Sequence, residues 1–174
     1  MDQDLVARNI IILLIAFSFG DTAEVVDCIM HVWYSAFLSS KHIERLQNCV
    51  VPLLDDVNRK IKDRATGVQL GKTWTFASCT LRVVLTKERW NALASYLKVP
   101  EGLTASRAQE ARKTVMYATA DLDVQERRYY AQPLRRRVCL EKYREDGILL
   151  PFGHSREDFN VPNPYVFMHP KVSL

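Results

Sequence analysis

Through the first half of the chain, apolar positions recur mostly at three- and four-residue intervals, the spacing of one helix face. The run Ile10 to Phe19, preceded by Arg8, is apolar on nearly every side, which predicts a buried helix through about Phe17 with Asp2 or Asp4 as its cap. Gly20-Asp21-Thr22 then breaks the chain and caps a second helix, expected from Ala23 to about Leu38 with Val25, Ile29, Val32, Trp33 and Ala36 on its apolar face. Ser39-Ser40 opens a third, whose stripe is Ile43, Leu46, Val50, Leu53, Leu54, Val57 and Ile61. Pro52 falls inside that stripe and should kink or split it, because proline lacks the amide hydrogen and crowds the preceding turn.

The pattern changes after charged residues 58–64. Gly67 to Gly71 reads as a loop, and Trp74 to Leu85 is ambiguous. There Phe76, Cys79, Leu81, Val83, Val84 and Leu85 mix aromatic and β-branched residues, so a short strand around 79–85 or an irregular segment competes with helix. Thr86 caps a further helix carrying Trp90, Leu93, Ala94 and Leu97, closed by Pro100-Glu101-Gly102. Thr104 or Ser106 begins another through about Tyr117, and Asp121 and Pro133 start two more, ending near Asp146-Gly147. The expectation is a mainly α, compact multi-helix single domain: a helical body over 1–147, room for one or two short strands, and an irregular strap over 148–174. Pro162, Pro164 and Pro170 keep that strap extended. Its aromatic side chains, Phe152, Phe159, Tyr165 and Phe167, either lock it onto the helices or anchor a partner, and self-packing is favoured because exposed aromatic area is costly.

Composition adds bounds. A chain of 174 residues suits one domain, and its six glycines are few for an all-β protein. The net charge of +4 permits an acidic partner without requiring one. Cys28, Cys49, Cys79 and Cys139 contain no C-x-x-C pair, so buried free thiols in a reducing, intracellular setting (cytoplasmic or nuclear) are expected. The run 10–19 is too short to cross a bilayer, which needs about 20 apolar residues, and Asp2 and Asp4 spoil the basic start of a signal peptide.

Reaction chemistry is sparse. The histidines are His31, His42, His154 and His169, and no serine or cysteine stands in a nucleophile-elbow context. His31 reads as a structural or surface histidine. His154 and His169 flank Glu157 and Asp158 without an established ligand spacing, so no metal is expected, and no cofactor is either. Asp55 and Asp56 are neighbours on a helix and diverge by about 100°. Gly67 to Thr73 imitates a phosphate loop, but its glycines are one residue too close. The strongest positive signal is basic: Arg127-Arg128 before Tyr129-Tyr130, then Arg135-Arg136-Arg137. Between Thr104 and Asp146, however, ten Lys and Arg meet seven Asp and Glu, so a solvated face or ion-pair network competes with a binding patch.

Residues 5–9 (L-V-A-R-N), 31–38 (H-V-W-Y-S-A-F-L), 86–90 (T-K-E-R-W), 100–104 (P-E-G-L-T) and the strap from Leu150 to Pro164 together resemble an uncharacterised fungal family. Members of that family are often fused to MYND-type zinc fingers and are distantly similar to dynein axonemal assembly factor three; this chain resembles their C-terminal part. The resemblance implies a preceding methyltransferase-like α/β region, but this sequence has no glycine-rich loop for S-adenosylmethionine and no MYND cysteine–histidine spacing. A shortened paralogue or an incomplete gene model fits those departures. The leading expectation is therefore a non-enzymatic protein-interaction or assembly module, binding through Arg127, Arg128, Arg135, Arg136, Arg137, Phe152, Phe159 and Tyr165. A remnant or subunit of a methyltransferase-like enzyme is the alternative, and a weak nucleic-acid binder through Arg127–Arg137 stands third. A protein partner is expected and no membrane; a homodimer would cover the apolar first helix.

Overall fold

A computed structural model describes residues 3–19, 22–77, 79–117, 127–150 and 153–167. Asp2, Gly20, Asp21, Asp121, Phe152, His169 and Pro170 lie outside them. The chain is mainly α. Helix α1 (Gln3–Phe19) buries Ile10, Ile11, Ile12, Leu14 and Ile15. Its cover comes from α2 (Ala23–Tyr34) and from the stripe of the next helical stretch.

That stretch is α3 (Ser40–Arg45), a π-helical turn over Leu46–Val50, and α4 (Val51–Ile61). The wide turn sits directly before Pro52, in the first turn of α4, where the missing amide hydrogen would have broken an α-helical ladder. The insertion keeps the axis running, and Leu46, Val50, Leu54, Val57 and Ile61 all reach the core.

Residues 69–71 correct the end of the expected loop, while 79–86 take the strand reading. β2 (Gln69–Phe76) and β3 (Cys79–Thr86) form an antiparallel hairpin whose pairing runs from Gln69–Thr86 to Phe76–Cys79. Leu70, Trp74 and Phe76 alternate inward opposite Leu85 and Leu81, and Trp74 meets Trp90 edge-on, centroids 5.8 Å apart. Lys72 interrupts the apolar alternation but bonds Asp56 of α4 at 3.1 Å. α5 (Lys87–Ser95) follows at once with Thr86 at its N-cap, and Trp90 donates from Nε1 to the Leu70 carbonyl at 3.0 Å.

The second correction is the end of α2. It stops at Tyr34, and β1 (Phe37–Ser39) pairs antiparallel with β4 (Phe159–Pro162) of the strap. Around these pack α6 (Ala105–Tyr117) and α7 (Leu134–Asp146), with a helical turn at 127–130 before α7 and Gly147 ending it at φ 74. A short α8 (Pro164–Phe167) lies on α2. The bend between α2 and β1 is clasped from both sides. Ala36 donates to the Gly147 carbonyl at 2.7 Å and accepts from the Asn163 amide at 2.9 Å. Asn163, fully buried, sends its Nδ2 to the carbonyls of Val32 (2.9 Å) and Ser35 (2.7 Å), replacing the hydrogen bonds that a continued helix would have made.

Candidate functional site

On the inner side of α2 the fold gathers Asp27, His31 and His42, whose ligand atoms all lie within 4.8 Å of one another. Asp27 and His31 share a face because they are one turn apart on α2. His42 comes from the first turn of α3, where it also completes a capping box: Ser39 Oγ accepts from the His42 amide, and the Ser39 amide donates to His42 Nδ1 at 3.3 Å. With Nδ1 held as an acceptor, the His42 proton sits on Nε2 and is donated to Asp27 Oδ2 at 2.9 Å. His31 Nδ1 bonds Ser35 Oγ at 2.9 Å, and its Nε2 faces Asp27 Oδ1 at 3.5 Å, beyond hydrogen-bond length. The two imidazoles stack at 4.9 Å, and the Phe159 ring of β4 caps both, at 4.8 and 5.6 Å.

Both histidines are buried, whereas the Asp27 side chain is 59 % exposed and opens onto a groove. Burial lowers the His31 pKa; Asp27 opposes that shift and His42 adds to it, so His31 is held neutral near neutral pH. The groove walls include Glu24, Glu44 and Asp158 against Lys41 and Arg45, and Arg45 is already paired with Glu24. Asp27, His42 and Ser39 are linked in the order of a hydrolytic triad, but the polarity is reversed. The carboxylate faces solvent, while the hydroxyl is buried and accepts a helix amide, the reverse of the order in which a nucleophile meets its substrate.

The outer side of α2 is different. Val26 (58 % exposed), Met30 (40 %) and Trp33 (44 %) follow Ala23 at alternating spacings of three and four, and Tyr34 stacks on Trp33 with centroids 5.9 Å apart. Trp33 was expected in the buried stripe; it is on this outer seam. Single exposed apolar residues are ordinary, but a continuous row on one helix is not.

The residues singled out from sequence are scattered. Arg127, Arg128, Arg135 and Arg136 are exposed, and Arg136 bonds Gln132. Arg137 lies over the rings of Tyr129 and Tyr130 at 5.9 and 5.8 Å, an intramolecular stack. Phe159 is half-buried against the histidines. Tyr165 is 4 % exposed beneath Arg8, a core residue and not an anchor offered outward. Phe152 is outside the described residues. Of the four free cysteines only Cys28 is buried; Cys49 is half-buried, and Cys79 and Cys139 are exposed, against the expectation of buried thiols. His154 is exposed, away from the imidazole pair. The Asp27–His31 spacing was a readable signal for the cluster; nothing local in the sequence joined His42 to it.

A family described as Domain of unknown function (DUF4470) matches residues 1–38, which span α1, α2 and the start of β1. No curated protein and no solved structure matches the chain. Among the described residues, no helix is long and apolar enough to cross a membrane.

Proposed function

We propose that this chain is a non-enzymatic, intracellular protein-interaction or assembly module whose docking surface is the outer seam of α2. The observation that carries this reading is the exposed row Ala23, Val26, Met30 and Trp33. Its three–four spacing is that of one helix packing along another, so the occupant is the apolar face of a partner's helix. A twelve-residue helix is about 18 Å long and about 10 Å wide, so its face falls well short of the roughly 800 Å² per partner typical of a stable interface and suits a transient contact. Tyr143 of α7 donates to the Tyr34 carbonyl at 2.7 Å, so α7 meets α2 at the end of the seam. Arg135 and Arg136 lie some two turns back along it, roughly 11 Å, where they would favour acidic residues flanking the partner's helix. The resemblance to the MYND-associated fungal family and, distantly, to an axonemal dynein assembly factor supports the same class of function.

Trp33 makes the proposal measurable, because Trp74 and Trp90 are buried at 6 % and 1 % exposure and leave it as the exposed indole. Titrating a purified partner should shift its emission to the blue. Met30→Glu and Trp33→Glu should weaken binding at least tenfold while leaving the far-UV circular dichroism intact. A partner that binds these variants as tightly as the parent chain would refute the assignment.

A further inference from the structure

We infer that Asp27, His31 and His42 form a binding site for a divalent transition-metal ion of the zinc class, with a groove water completing its coordination. Two imidazole nitrogens and one carboxylate oxygen are the donor set such ions take. The spacing of each imidazole from the carboxylate supports it, each histidine facing a different Asp27 oxygen. Two ligands of a tetrahedral ion, each about 2.1 Å from it, lie about 3.4 Å apart. His31 Nε2 stands 3.5 Å from Asp27 Oδ1 and His42 Nε2 stands 2.9 Å from Asp27 Oδ2. At the longer distance no hydrogen bond forms, and the His31 ring nitrogen faces the carboxylate at the separation that two ligands of one ion take.

The surroundings suit a cation. Each imidazole is oriented through its other nitrogen by a serine hydroxyl, Ser35 for His31 and Ser39 for His42, both at 2.9 Å, the outer support that fixes metal-bound histidines. On binding, the His42 proton would move from Nε2 to Nδ1 with no net release, so that Nδ1 donates to Ser39 Oγ and gives up its bond from the Ser39 amide. The donor atoms, now within 4.8 Å of one another, would close to about 3.4 Å by a small turn of the rings about their serine hydrogen bonds. Asp27 opens to the groove, which provides an entry path, and Glu44 and Asp158 give its walls negative charge. The site would join α2 to α3 directly beneath Phe159, and so brace the seat of the strap.

The test is a cobalt and zinc titration of the chelator-treated protein. One Co²⁺ per chain should bind with the intense visible bands of four-coordination and without thiolate charge transfer, and Zn²⁺ should displace it and raise the melting temperature. Asp27→Asn, at an exposed position where folding is retained, should weaken Zn²⁺ binding at least tenfold, and His31→Gln should do the same. Thiolate bands would place the ion on cysteines and overturn the inference. So would octahedral spectra, binding unchanged by Asp27→Asn, or no binding at millimolar metal.

Discussion

Replacing Asn163 by alanine should cost more than any other single truncation in the strap. Its Nδ2 serves the carbonyls of Val32 and Ser35 at 2.9 and 2.7 Å, and its Oδ1 accepts from the Tyr165 amide at 3.0 Å. The His31 carbonyl, 3.4 Å away, already accepts from the Ser35 amide and would stay satisfied. The Val32 carbonyl has no such reserve, because the Ala36 amide that would have closed the next helical turn donates to Gly147 instead. Alanine therefore orphans two carbonyls and one amide in a site with no solvent exposure. Each buried orphan costs about 1–3 kcal/mol. The vacated volume admits a water that recovers part of this, so a loss of about 3 kcal/mol is expected. Asn163→Asp should be worse, at least 4 kcal/mol, because it aims a carboxylate at two carbonyl oxygens. Urea denaturation followed by tryptophan emission measures both, and about 3 kcal/mol corresponds to a midpoint roughly 1–2 M lower. A loss below about 1 kcal/mol for Asn163→Ala would refute the view that this amide terminates α2 and seats the strap.

Gly147→Ala should destabilise by about 2–4 kcal/mol, since positive φ costs roughly 1–2 kcal/mol and the new methyl would lie 2.9 Å from the Ala36 Cβ. Gly153→Ala, also at positive φ but with nothing within 4 Å, should show only the backbone part in the same melts. Thiol labelling at pH 8 should modify Cys79 and Cys139 quickly and leave Cys28 untouched until unfolding, because burial, Asp27 and Cys49 push its pKa up to about 12. Hydrogen bonds from Lys60 and Lys72 hold the Asp56 carboxyl down to about 2 from 3.8, so its contribution is complete above pH 3.8 and is lost as pH falls through about 2. Lys72→Met should raise the Asp56 midpoint in an NMR titration; an unmoved midpoint would remove Lys72 from that account.

Much of the helical body was legible because its determinants are local. Thr22 before Ala23, Thr86 before Lys87 and Gly147 after Asp146 mark ends that hold in three dimensions, and the stripe through Ile61 survived Pro52 by way of a wider turn. The misses have non-local causes. α2 stops early because Phe37–Ser39 pairs with β4, more than a hundred residues away, and because Asn163 takes over its last carbonyls. β2 was hidden by Lys72, a charged residue at an inward position that only Asp56 on α4 makes tolerable. The hairpin turn carries no asparagine–glycine signal; Ala77 takes the positive φ of 36° instead. For the site, Asp27 and His31 were visible as neighbours on one turn, while His42 was brought in by the chain reversal at β1. The basic run drew attention through its density, yet its Arg137 spends its charge on Tyr129 and Tyr130.

The account rests on α2 having two faces, an inner one that binds its own strap and an outer one left for another protein. A photo-crosslinking residue placed at Met30 in living cells tests this most directly, with the same residue at Thr80, exposed on the hairpin, as the reference. The account predicts one dominant heterologous adduct at position 30 that is absent at position 80 and is lost when Trp33 is changed to Glu. Equal, diffuse labelling at both positions, or adducts only to the chain itself, would contradict it.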